Sequence, residues 1–152
     1  MEQRTMQMRL LILSVLLVMI PVNTNSSTLG YQITAPFDFI TIEELKSKVT
    51  QNQSLLILDV RGSESYANST TRIKGALHVS PRKLKYRLGF PPLKDVPKDR
   101  EMVTYCACPS DEAAITAAQI LVSNGFKRVR VLKGGWQEWL KAKGPVEQRP
   151  RG

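Results

Sequence analysis

The sequence predicts an α/β fold built on a parallel sheet with helices on both faces. Three observations carry that expectation. Short apolar runs alternate along the chain with segments whose apolar residues recur every three or four positions, the pattern of strands separated by helices. One run, Ser54-Leu55-Leu56-Ile57-Leu58-Asp59-Val60-Arg61, is continuously apolar at its centre, as in a strand buried on both faces of a parallel sheet. The stretch from Met102 to Glu112 changes character in its middle. Met-Val-Thr-Tyr is strand-like, and beyond Cys106-Ala107-Cys108-Pro109 the residues Ala113, Ala114, Ala117, Ala118, Leu121 and Val122 recur at helical spacing. With 152 residues, 42% of them apolar, the chain has the length of one domain and enough core-forming residues to exclude disorder.

The elements follow in order. Residues 1–24 read as a signal peptide: Arg4 and Arg9 precede an apolar run over residues 10–22, a basic start followed by a short apolar core. That run is shorter than the roughly 20 residues needed to span a bilayer. The expected destination is therefore export, periplasmic or secreted, with an uncleaved membrane anchor or a buried helix as alternatives. Residues 25–36 form a polar lead-in, residues 37–145 the folded domain, and residues 146–152 a basic tail. Thr41 with Glu44 three residues on is a capping box, opening a helix that ends near Val49 or Thr50. The buried strand at 54–61 comes next, then a helical turn at 63–67. A further strand lies within 73–79. A basic helix at 81–87 has Pro81 in the first helical position. Residues 89–100 carry three prolines and read as a surface loop. The strand and helix around Cys106 follow, the helix stopping at Asn124-Gly125. Arg128-Val129-Arg130-Val131-Leu132 is a strand, and Gly134-Gly135-Trp136-Gln137-Glu138-Trp139-Leu140 turns into a last helix.

Both cysteines therefore sit in a tight turn between a strand end and a helix start. In an open α/β sheet that is where ligands bind, outside the carboxyl ends of the strands. Main-chain N–H groups at a helix start favour negative charge, and a cysteine there can be held as the reactive thiolate. Two cysteines two residues apart cannot staple a fold. With one histidine and no second Cys-x-Cys pair, they match zinc spacing poorly, so no metal or cofactor is expected. The formal charge of +9 leaves open contact with an anionic membrane surface or partner through Arg82, Lys83, Lys85 and Arg87. The simpler reading is a solvated face. An exported chain gives no reason to expect nucleic acid. Asn25, Asn52 and Asn68 head glycosylation patterns that matter only in a eukaryotic host.

Four stretches in order resemble the rhodanese family in its single-domain form. Leu58-Asp59-Val60-Arg61 is similar to that family's Asp-Val-Arg at a strand end. Arg72-Ile73-Lys74-Gly75-Ala76-Leu77-His78-Val79 is similar to its His-Ile-x-Gly-Ala segment. Tyr105-Cys106 resembles the end of its catalytic strand, and Leu132-Lys133-Gly134-Gly135-Trp136-Gln137-Glu138-Trp139 its Leu-x-Gly-Gly-x-x-x-Trp ending. The resemblance spans residues 37–144. It implies a rhodanese-like three-layer fold with a five-stranded, mainly parallel sheet. It also implies a sulfurtransferase or sulfur carrier that holds sulfane sulfur as a persulfide on a cysteine.

By this resemblance Cys106 is the nucleophile, taking sulfur from a donor and passing it to a small acceptor or a sulfur-accepting protein in two covalent steps. Ala107, Cys108, Ser110, Asp111 and Glu112 are the candidate binding residues of the loop. Cys108 could resolve the Cys106 persulfide, pair with Cys106 by oxidation, or only line the turn. Asp59 and Arg61 are supporting residues that fix the neighbouring loop through charge-assisted hydrogen bonds, and His78 reads as structural. The family commonly places an arginine five residues after the cysteine, where it attracts anionic thiosulfate; here Asp111 stands, followed by Glu112. Carboxylates suit a helix start but repel an anionic donor and disfavour a thiolate. The loop thus reads as a subtype with weak thiosulfate activity, which Asp111→Arg should raise. A protein phosphatase is excluded, since that chemistry needs arginine where Glu112 stands. The competing class is a non-catalytic binding module of the same fold.

Overall fold

The structure is a computed structural model and describes residues 36–150. The strand read from the continuous apolar run is β2 (Leu55–Asp59), an interior strand of the main sheet. The other strands of the main sheet are β1 (Asp38–Ile40), β4 (Leu77–His78), β5 (Glu101–Tyr105) and β6 (Arg128–Leu132). Their order is β1-β6-β5-β2-β4, and every neighbouring pair is parallel. Side chains of a strand alternate between faces. In β2, Leu56 and Leu58 join one core and Leu55 and Ile57 the other. That double burial is why the run is apolar at every position.

Helices supply the outer layers. On one face lie α1 (Ile42–Thr50) and α5 (Gly135–Lys141), burying Ile42, Leu45, Val49, Trp136 and Trp139. Thr41 Oγ1 accepts the Glu44 N–H at 3.1 Å, so the capping reading holds on its threonine side. The other face carries α3 (Pro81–Arg87) and α4 (Glu112–Ser123), through Leu84 and the small-residue stripe Ala114, Ala117, Ala118 with Leu121. The short α2 (Ser63–Ala67) buries no residue.

Three expectations change. The strand expected within 73–79 divides. β3 (Thr71–Ile73) leaves the main sheet, the chain turns at Gly75 with φ +78°, and only β4 pairs with β2. β3 pairs instead, antiparallel, with β7 (Val146–Gln148), so the stretch read as a basic tail begins with a paired strand. Arg149 continues it: its N–H donates to Thr70 O, and its Nε to Ser69 O at 3.0 Å. β1 falls at the domain start, where no strand was read; three residues are too few to show a period. Within the proline loop, a 3-10 turn at Leu93–Asp95 is pinned by the buried Leu93. The signal-peptide reading of residues 1–24, the lead-in to residue 35 and the last two residues lie outside the described residues. Among the described residues no helix is long and apolar enough to cross a membrane.

Candidate functional site

β5 positions the candidate nucleophile. Thr104, buried toward α4, donates its hydroxyl to Ala114 O at 2.9 Å and so ties the helix start to the strand end. The ladder between β2 and β5 extends one bond further, from Val60 N–H to Tyr105 O. Cys106 follows, 1% exposed, and belongs to the core under α4.

The turn over residues 106–111 is held at both ends by the start of α5. The Cys106 carbonyl accepts the Trp136 N–H at 2.8 Å. Asp111 closes the turn in the left-handed conformation, φ 56°, with its N–H on Cys108 O. Its Oδ2 accepts the Gly134 N–H at 2.9 Å. Gly135 has φ +53°, and a Cβ there would collide with the Cys106 carbonyl oxygen. Only glycine allows so close an approach in that conformation. Cys106 and Cys108 are joined by a disulfide, their Cα atoms 5.7 Å apart. Among the described residues, no hydrogen-bond acceptor takes the main-chain N–H of Ala107, Cys108 or Ser110.

Behind the turn lies a buried charge network. Asp59 and Arg61 are both fully buried and bonded to each other, Arg61 Nη2 to Oδ2 at 2.6 Å and Nε to Oδ1 at 2.9 Å. Tyr105 donates its hydroxyl to Asp59 Oδ2 at 2.7 Å and accepts the Ile73 N–H at 3.2 Å. Arg61 Nη2 also reaches Thr71 O, and its guanidinium lies 4.4 Å over the Trp136 ring. His78 places Nδ1 2.9 Å from the Asp59 carbonyl oxygen and stacks on Tyr66 with ring centroids 3.6 Å apart. Burial alone would raise the Asp59 carboxyl, but His78, Arg61 and Tyr105 outweigh it and hold it below the usual carboxylate range. Burial and then Asp59 push the Tyr105 hydroxyl well above the usual phenol range. The network ties β2, β3 and β5 to α5. Arg61 Nη1 and Asp111 Oδ1 are the two buried side-chain atoms left without a partner among the described residues.

The candidate residues therefore separate into groups. Cys106, Ala107, Cys108 and Asp111 are gathered in the turn, whereas Ser110 and Glu112 face solvent. Asp111 was expected to face the donor; it is 8% exposed and its carboxylate is spent on Gly134. The left-handed backbone at 111 turns it inward, a feature spacing alone does not reveal. Asp59 and Arg61 lie in the network behind the turn. Tyr105, Gly135 and Trp136 also build the site, although sequence reasoning quoted them only within family motifs and named none of them as a site residue. Their signals were a tyrosine directly before the cysteine and a paired glycine before a tryptophan. A cavity of about 480 Å³ lies at the carboxyl ends of the strands, lined among others by Val60, Gly62, Ser63, Pro81, Arg82 and Ala113. Among the described residues no group of three His, Cys, Asp or Glu side chains could hold a metal ion.

The chain is similar to several known proteins. The chain is 27% identical over 107 residues to a sulfurtransferase of Allochromatium vinosum, covering 70% of this chain and 92% of the relative. It is 32% identical over 92 residues to the thiosulfate sulfurtransferase GlpE of Coxiella burnetii, covering 60% and 78%. The structure of a human single-domain sulfurtransferase superposes with a TM-score of 0.58 at 26% identity, covering 71% of this chain and 97% of that one. The family model described as the rhodanese-like domain matches residues 41–142, and the chain belongs to that family.

Proposed function

We propose that this chain is a sulfurtransferase that carries sulfane sulfur as a persulfide on Cys106. The observation that carries the reading is the placement of Cys106 at the end of β5, beside the start of α4, in a turn anchored by α5. Cys106 thiolate attacks the outer sulfur of a donor such as thiosulfate, sulfite departs, and an acceptor nucleophile then takes that sulfur from Cys106. In the oxidised form Cys106 is bonded to Cys108, so the carrier form arises when a thiol opens that bond. No lysine or arginine occurs from Tyr105 to Phe126. A dianionic donor gains nothing from the loop itself, which supports weak use of thiosulfate and better use of a neutral or protein-bound donor. A sulfur-accepting protein fits the basic rim of α3, where Arg82, Lys83 and Lys85 surround the exposed Tyr86. We assign residues 1–24 to export, with the mature chain starting near residues 24–29; an intact Met1 in a soluble cytoplasmic fraction would refute that.

The test is intact-mass spectrometry of the reduced protein after exposure to thiosulfate at high concentration. Cys106→Ser should abolish loading and transfer to cyanide. Transfer surviving in Cys106→Ser would remove the assignment. A wild-type protein that never loads from any sulfane donor would favour a binding module instead.

A further inference from the structure

We propose that Cys108 resolves the Cys106 persulfide, so that this domain releases its sulfur as hydrogen sulfide and ends as the Cys106–Cys108 disulfide. The inference rests on the persulfide reading of Cys106 and adds a second reaction at the same turn.

Two observations carry it. The structure holds the two cysteines in a disulfide with Cα atoms 5.7 Å apart, inside the ordinary range of about 4.4–6.8 Å for bridged residues. Three hydrogen bonds hold the turn in addition to the sulfur bond. Trp136 N–H holds the Cys106 carbonyl, Asp111 N–H holds the Cys108 carbonyl, and Gly134 N–H holds Asp111. A reduced turn therefore keeps Cys108 beside Cys106. Burial also differs across the pair: Cys106 is 1% exposed, whereas Cys108 is half-buried. Cys106 Sγ, nearly closed to external thiols, is met first by a nucleophile already inside the turn. The chain contains no other cysteine, so within one molecule Cys108 is the only thiol that can act.

The step balances. A persulfide on Cys106 is one cysteine sulfur bonded to one sulfane sulfur. The Cys108 thiolate attacks Cys106 Sγ, the Sγ–sulfane bond breaks, and its electron pair leaves with the outer sulfur. That sulfur takes up protons from water and departs as hydrogen sulfide. It is reduced by two electrons, and the cysteine pair supplies both by becoming a disulfide. The cycle closes when an external dithiol reduces the disulfide. Its first thiolate attacks the more accessible Cys108 Sγ and expels Cys106 as thiolate; its second thiol resolves the mixed disulfide. The partner is thus a dithiol reductant, which emerges oxidised.

The experiment uses the full chain, reduced with a phosphine and freed of it, then given thiosulfate anaerobically. Sulfite reports loading, sulfide reports discharge, and intact mass reports the product. Wild type should release sulfite and sulfide in equal amounts and end two hydrogens lighter than the reduced protein. Cys108→Ser and Cys108→Ala, each verified as folded by circular dichroism, should release sulfite, gain one sulfur atom, and free no sulfide until an external thiol is added. If wild type instead keeps the added sulfur while Cys108 stays open to alkylation, the inference is overturned and the persulfide reading stands. If neither wild type nor the variants load sulfur, from thiosulfate or from a neutral sulfane donor, both fail together.

Discussion

Two buried aspartates sit on either side of the same turn, and they are satisfied to very different degrees. Asp59 receives Arg61 from its side, the Tyr105 hydroxyl from the next strand and the Arg61 main-chain N–H. Asp111 receives one main-chain N–H on Oδ2, and its Oδ1 is buried with no partner. A fully paired buried charge is rigid, because any displacement strands charge in a low-dielectric interior. A half-paired one holds less firmly. The difference teaches where this site keeps its stiffness. The frame behind the cysteine is locked, whereas the turn that carries it is fastened to the rest of the fold by single hydrogen bonds.

The largest effect should come from breaking the locked side. Asp59→Ala leaves the Arg61 guanidinium buried and uncompensated, which costs about 3–5 kcal/mol. Urea unfolding measures it, and a loss below about 1 kcal/mol would mean the network does not brace the fold.

The same residue sets an acid limit. The folded Asp59 carboxyl lies below its ordinary value of 3.8. Its contribution is therefore present above that value and is lost as pH falls through the lower, folded one. Stability should decline steeply below about pH 4, and Asp59→Asn should flatten that acid limb while lowering the plateau. An unchanged acid limb in Asp59→Asn would assign the decline to other carboxylates.

The half-paired side should give smaller changes. Asp111→Ala removes one hydrogen bond and one buried charge, for a stability loss of about 1 kcal/mol. It should slow persulfide loading on Cys106, because the Gly134 anchor of the turn is lost. Asp111→Asn keeps an acceptor for Gly134 N–H and should load close to the wild-type rate. Equal loading by all three proteins would show that the anchor does not position Cys106.

The smallest effect should be that of Asp111→Arg. With the native carboxylate turned inward, an arginine there loses the Gly134 bond and is not directed at the donor. A change in kcat/KM for thiosulfate of no more than about threefold is expected. A gain of about tenfold that shrinks with added salt would instead place position 111 at the donor, as the family resemblance implied.

What the sequence determined by itself was local or periodic. Continuous apolar character marked β2 as buried on both faces. Helical spacing marked α4, a threonine cap marked α1, and the proline start marked α3. The break in period at residue 106 located the candidate nucleophile at a strand-to-helix turn, since a change of period is itself the sign of a change of element. Tertiary structure decided whatever joins residues far apart in the chain. β7 finds β3 across more than 70 positions, and three-residue strands carry too little pattern to announce a partner. Gly135 is required because the Cys106 carbonyl lies against it, a contact that exists only after α5 docks. Asp111 likewise read as an exposed charge near a donor. The fold turned it inward because a left-handed backbone at 111 and the Gly134 N–H are set by packing of distant segments, which spacing along the chain does not encode.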